Sequence, residues 1–128
     1  MSLSIPVRII IGFIELTFVV RVLKLEVKQK RPTDANGKSR CKQYNPNHGW
    51  PSGHTALAAY FATVAVIWCL QNCTTRVTAI CGVVVIMLCI AVVLAMAKSR
   101  VIQGCHTWNQ TKYGAMFGTV IGVLTMMM

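Results

Sequence analysis

Acidic residues are nearly absent from this chain: Glu15, Glu26 and Asp34 are the only three in 128 positions. The sequence therefore offers no carboxylate cluster for magnesium, and no metal or cofactor is expected. Charge of either sign is scarce, at 12% of residues against 55% hydrophobic, with a mean hydropathy of +0.57. Too little polar surface is left to solvate the outside of a soluble helical domain of this size. The six cysteines, at 41, 69, 73, 81, 89 and 105, contain no C-x-x-C pair and no histidine at ligand spacing. Neither a zinc site nor a disulfide framework is indicated. Cys69, Cys81 and Cys89 lie in apolar runs as small hydrophobes, and Cys41–Cys105 is a candidate disulfide only in an oxidising compartment. No cleavable signal peptide is evident, because Arg8 interrupts the first apolar stretch and Glu15 lies inside it.

What remains is basic and apolar. Thirteen Lys and Arg give a net charge of +10 and a pI near 9.8. Nucleic-acid binders spread such cations over a polar fold. Here they sit between apolar runs, which points to anionic headgroups or a phosphorylated substrate and away from nucleic acid.

Four apolar stretches can be drawn, over residues 5–23, 55–70, 77–96 and 113–128. The third has about the 20 residues a bilayer needs. The second and fourth reach only about 24 Å at 1.5 Å per residue, so they should extend into their polar flanks. The expected fold is all-α: a multi-pass integral membrane four-helix bundle, one membrane-embedded domain over residues 1–128. Four crossings put both termini on one side and residues 24–54 and 97–112 together on the other. Trp50, Trp108 and Tyr113 then flank the second face and Trp68 the first, as interfacial aromatics do. Gly114, Gly118 and Gly122 recur every fourth residue and mark a face for close helix contact.

Three clusters fall on that second face. Lys24 is followed after six residues by Arg31-Pro32; Pro51-Ser52-Gly53-His54 comes next; Ser99-Arg100 is followed after five residues by His106. Cations and oriented backbone N–H groups are what a phosphate needs. Two imidazoles are what phosphoryl transfer through a covalent intermediate needs, one as nucleophile and one as proton donor. Lys24 and Arg31 stand two helical turns apart, so a helix continuing to Pro32 would present both on one face. The stretch from Thr33 to Gly49, with turn chemistry at Asp34-Ala35-Asn36-Gly37 and Asn45-Pro46-Asn47, reads as a long polar loop that recognises substrate or is simply mobile.

In order and spacing these clusters resemble the type 2 phosphatidic acid phosphatase superfamily, whose signature is Lys-x6-Arg-Pro, Pro-Ser-Gly-His and Ser-Arg-x5-His-x3-Asp. Ten positions match, and Gly104 fits the family's usual Gly-x-His. The resemblance implies a metal-independent phosphatase acting on a lipid phosphate or lipid pyrophosphate in the bilayer. His106 would form the phosphohistidine and His54 would protonate the leaving oxygen and then help activate water. Lys24, Arg31, Ser52, the Gly53 N–H and Arg100 would hold the phosphoryl oxygens.

One position departs. The family's Asp, which orients the nucleophilic imidazole, falls at Gln110. A Gln carbonyl can accept the same hydrogen bond without charge, and Asp34 or Glu26 could supply an acid from elsewhere. Gln110→Asp is therefore expected to raise turnover. The alternative is a catalytically impaired relative that binds lipid phosphates or membrane partners. A small channel-like oligomer fits the ten ordered matches poorly. Of the other polar residues, His48 reads as solvated and Lys38, Arg40 and Lys42 as a basic run beside headgroups. Glu15 is a bundle hydrogen-bond partner or a functional group. Asn72-Cys73-Thr74 and Asn109-Gln110-Thr111 are sequons by pattern only. Eleven of the thirteen basic residues (all but Arg8 and Arg76) lie on the site face, which the positive-inside rule makes cytoplasmic. The family places its site outside the cytoplasm, so sidedness stays open. Four short helices bury little within one copy, which leaves room for a homo-oligomer.

Overall fold

The computed structural model describes residues 3–38, 40–41 and 48–128. Lys42 of the basic run and the Asn45-Pro46-Asn47 turn lie outside the described residues. Four helices follow one another: α1 (Ile5–Val27), α2 (Gly53–Asn72), α3 (Arg76–Ile102) and α4 (Trp108–Met127). Each starts where its sequence supplies a start. Ser4 precedes α1 with a proline in its first turn, and Ser52 precedes α2. Thr75 and Thr107 open α3 and α4 with reciprocal capping boxes to Thr78 and Gln110.

The α1 helix stops short of the expected Pro32. Lys28 adopts a left-handed conformation (φ 51°), and its N–H caps the Lys24 carbonyl. Arg31 therefore stands on an extended segment and not on the helix. All three remaining helices extend beyond the apolar stretches into their polar flanks.

The α2–α4 pair forms the centre. Side chains at Gly114 and Gly118 would collide with the carbonyls of Ser52 and Ala56, and one at Gly122 would lie 2.9 Å from Thr63 Cβ. Backbone thus meets backbone along one seam. Around it gather Leu16, Val20, Ala56, Tyr60, Val64, Ile121 and Met126. Tyr60 pins α1 by donating its hydroxyl to the Ile9 carbonyl at 2.8 Å.

By contrast α3 is peripheral: only Gly82 and Ala97 are buried along its 27 residues. Its outer surface is a sheet of exposed Val, Ile, Leu and Met. An apolar surface of this extent is stable only against lipid or protein. Both α2 and α3 are long and apolar enough to cross a membrane. Glu15 lies on the exposed face of α1 and has no partner among the described residues, so it is not a bond within the bundle.

Candidate active site

The end of α1, the start of α2, the end of α3 and the start of α4 meet at one end of the bundle, and the three sequence clusters meet with them. The first loop is clamped at its base. Lys30 bridges His48, and Gly49 donates its N–H to the Gln29 carbonyl at 2.7 Å. Lys24 Nζ donates to the His48 carbonyl at 3.4 Å. Trp50, whose bond to Pro51 is cis, packs on Tyr113 and Phe117.

The second loop, between α3 and α4, is folded just as tightly. Cys105 and His106 both donate their N–H groups to the Arg100 carbonyl, at 3.1 and 3.3 Å. Gly104 makes this possible with φ 67°, and a side chain there would meet Arg40 Cδ at 2.8 Å. A Cys41–Cys105 disulfide joins the two loops. The residue before His106 is thereby tied covalently to the loop that begins with Arg31.

His106 is buried between Arg31 and Gln110. Arg31 Nη1 donates to the Cys105 carbonyl at 3.1 Å and lies 3.4 Å from His106 Nε2. On the other side of the ring, Nδ1 lies 3.3 Å from Gln110 Oε1. The amide orientation is fixed by its other partners. Oε1 accepts from the Thr107 N–H at 3.2 Å, while Nε2 donates to the Lys30 carbonyl at 3.0 Å and to Gln29 Oε1 at 3.2 Å. Rotating the amide by half a turn would set donor against donor and acceptor against acceptor. Because a carbonyl oxygen only accepts, the proton must sit on Nδ1, which leaves the Nε2 lone pair facing Arg31. Burial, then the positive charges of Arg31 and Lys24, hold the His106 pKa down at about 4, well below its ordinary 6.5. The imidazole is neutral at physiological pH.

Lys24, Arg31 and Arg100 all act electrostatically on His54, which sits in the first turn of α2. Arg100 Nη1 donates to Gln103 Oε1 at 3.2 Å, and its Nε is buried with no hydrogen-bond partner among the described residues. Ser52 is placed differently from the expectation. It is fully buried, its Oγ lies 3.0 Å from Thr55 Oγ1, and its N–H donates to the Gln110 carbonyl at 2.9 Å. It joins α2 to α4, and Gly53 follows it as the first residue of α2.

The acids named from sequence do not reach His106. Asp34 Oδ1 accepts the N–H groups of Asn36 and Lys38 within its own turn, and Glu26 is exposed on α1. The orienting group is Gln110 itself.

Four participants in this network escaped the sequence reading: Gln29, the Lys30 carbonyl, Gly49 and Thr107. A side chain on Gly49 would come within 2.6 Å of the Gln110 amide. One signal was available, since Thr107-x-x-Gln110 has the spacing of a capping box. No curated protein and no solved structure matches the chain. A family model, that of the PAP2 superfamily, matches residues 6–128.

Proposed function

Because the chain belongs to the PAP2 superfamily, with phosphatase-type chemistry, we propose that it hydrolyses a lipid phosphate or lipid diphosphate through a phosphohistidine at His106. The observation that carries this reading is the geometry at His106: Gln110 Oε1, 3.3 Å from Nδ1, accounts for a proton there, and the Nε2 lone pair then faces Arg31 at 3.4 Å. Nε2 attacks phosphorus and the bond to the leaving oxygen breaks, with His54 delivering a proton to that oxygen. Water then attacks the phosphohistidine while His54 takes its proton, and inorganic phosphate departs with His106 restored. Lys24, Arg31, Arg100 and the Gly53 N–H stabilise charge on the equatorial oxygens throughout. The electrostatic work is thus assigned to cations in place of a metal.

A lipid substrate is supported by the position of the cluster at the end of a bundle whose α2 and α3 suit a bilayer. With four crossings, the cluster lies at headgroup level. The Cys41–Cys105 disulfide supports an oxidising compartment on the site face. That consideration outweighs the excess of basic residues there, since Lys24, Arg31 and Arg100 are accounted for by phosphate and the positive-inside rule is a statistical bias.

The test is turnover by purified protein of short-chain phosphatidic acid and of nitrophenyl phosphate. His106→Ala should abolish both, and acid-labile phosphate should be trapped on the native chain but not on the variant. His54→Ala should lose more on phosphatidic acid, whose leaving group needs a proton, than on nitrophenyl phosphate. Undiminished turnover in His106→Ala sinks the mechanism. The lack of a carboxylate among the groups acting on His106 favours a second reading, a binding protein without turnover. It holds if the native chain binds vanadate yet releases no phosphate from either substrate.

A further inference from the structure

Lys24 and Gly53 belong to a second feature besides the phosphate cluster. They form the upper lip of a trough of about 160 Å³ along the seam between α1 and α2. Leu16 and Val20 of α1 and Leu57 of α2 make its apolar floor, with Thr17 and Arg21 on its flank. From Lys24 down to Leu16 the trough descends about 12 Å at 1.5 Å per residue. Its lip is uncrowded: a side chain at Gly53 would meet only Val20 Cγ1, at 3.7 Å. Two cations, Lys24 and Arg21, stand at the headgroup end, and no other charged residue lines the trough. Read downward, the order is phosphate cluster, cations, apolar floor, which is the order of groups in a lipid phosphate.

We propose that this seam is the bed of the substrate's hydrocarbon chain, so that a bilayer lipid reaches the phosphate cluster sideways, between α1 and α2. The proposal rests on the hydrolase reading above and adds where the rest of the substrate lies. A larger apolar cavity of about 420 Å³ between α2, α3 and α4 is the rival bed. Its lining includes Val66, Val93 and Thr119 but no residue of the cluster. Its nearest α2 residue, Ala59, is about 9 Å along the helix from Gly53. Of the two, only the α1–α2 trough shares residues with the cluster, Lys24 and Gly53, so a chain anchored by its phosphate runs continuously into it. Lipid tails are as apolar as the trough, so the seam contributes little affinity. What it contributes is registration, holding phosphorus at a fixed depth and angle before His106.

Photolabelling of the native protein tests this directly. A long-chain alkyl monophosphate with a mid-chain diazirine, in phosphatidylcholine vesicles, should label α1 between Leu16 and Arg21 and α2 near Leu57. Excess unlabelled alkyl phosphate should remove that label. Labelling of Val93 and Thr119 instead, or label that resists competition, overturns the assignment. A second measurement uses Thr17, an exposed residue on the wall of the trough. In Thr17→Trp the ratio of alkyl phosphate to nitrophenyl phosphate turnover should fall about tenfold, because the ring crowds the chain and not the phosphate. Thr119→Trp, in the rival cavity, should keep the native ratio. An unchanged ratio in Thr17→Trp, or a fallen one in Thr119→Trp, also overturns the assignment. Failure of the hydrolase reading looks different: no turnover of either substrate, while the photolabel still reports which groove holds the chain.

Discussion

Replacing Gln110 by aspartate restores the charge that the family signature places there, and the geometry sets a cost on doing so. Gln110 is 1% exposed and its amide makes contacts to five groups: His106, Thr107, Lys30, Gln29 and, by packing, Gly49. Aspartate is shorter by about 1.5 Å, one carbon–carbon bond. Starting from 3.3 and 3.2 Å, the bonds to His106 and the Thr107 N–H then stretch beyond useful length. A carboxylate also has no N–H to offer, so the Lys30 carbonyl faces a like acceptor. Loss of the cap and one unsatisfied buried partner together cost about 2–4 kcal/mol. Attraction to Arg31 and Lys24 offsets part of this, about 4 kcal/mol per close pair at an effective dielectric of 20, but desolvating the carboxylate takes back several. The lost hydrogen bonds decide the sign. Gln110→Asp should lower the thermal midpoint and reduce phosphate release about tenfold to a hundredfold. Gln110→Glu, which keeps the length and the cap, should lose less. A structural defect alone would not move the pH profile. A carboxylate beside His106 raises the imidazole pKa and shifts the acid limb of kcat/KM upward. The measurement is phosphate release from short-chain phosphatidic acid across pH, with thermal unfolding of each variant. A faster Gln110→Asp enzyme with undiminished stability would refute the reasoning.

Four further outcomes are expected. With the His106 pKa held at about 4, the nucleophile is neutral above that value, so the acid limb of kcat/KM should not appear until pH approaches 4; a limb near 6.5 contradicts it. The same shift means the unfolded chain binds more protons between about 4 and 6.5, so this group's contribution to stability is full above 6.5 and is lost as pH falls through that window. Arg100→Ala should weaken vanadate inhibition by removing a charge-assisted bond worth about 1.5–3 kcal/mol, whereas Lys38→Ala should not; equal effects would reduce the basic loop to diffuse surface charge. Gly118→Ala forces a methyl into the Ala56 carbonyl and should destabilise the α2–α4 pair by about 1–3 kcal/mol, measured by unfolding in detergent; an unchanged midpoint would mean that the seam relaxes freely.

Hydropathy and spacing alone were enough for the four helices, the gathering of three clusters at one end and the glycine seam. Each is written in local pattern: apolar runs set helices, the alternating direction of four successive helices sets which ends meet, and a period of four sets one face. Resemblance to the family signature picks out His106 and His54, and the family match agrees with that resemblance. What local pattern could not carry was the state of His106. The neutral imidazole, its proton on Nδ1 and its lone pair toward Arg31 depend on partners 75 residues away in the chain, and on a Lys30 carbonyl 80 residues from Gln110. Nothing in a sequence position says which carbonyl will face it. Read in sequence, Gln110 is a missing charge. Read in the fold, it is a four-bonded amide whose two donors an acid cannot replace. The same limit hid the burial of Ser52 and the early end of α1. Both follow from long-range hydrogen bonds and one left-handed residue, which only the closed tertiary structure selects.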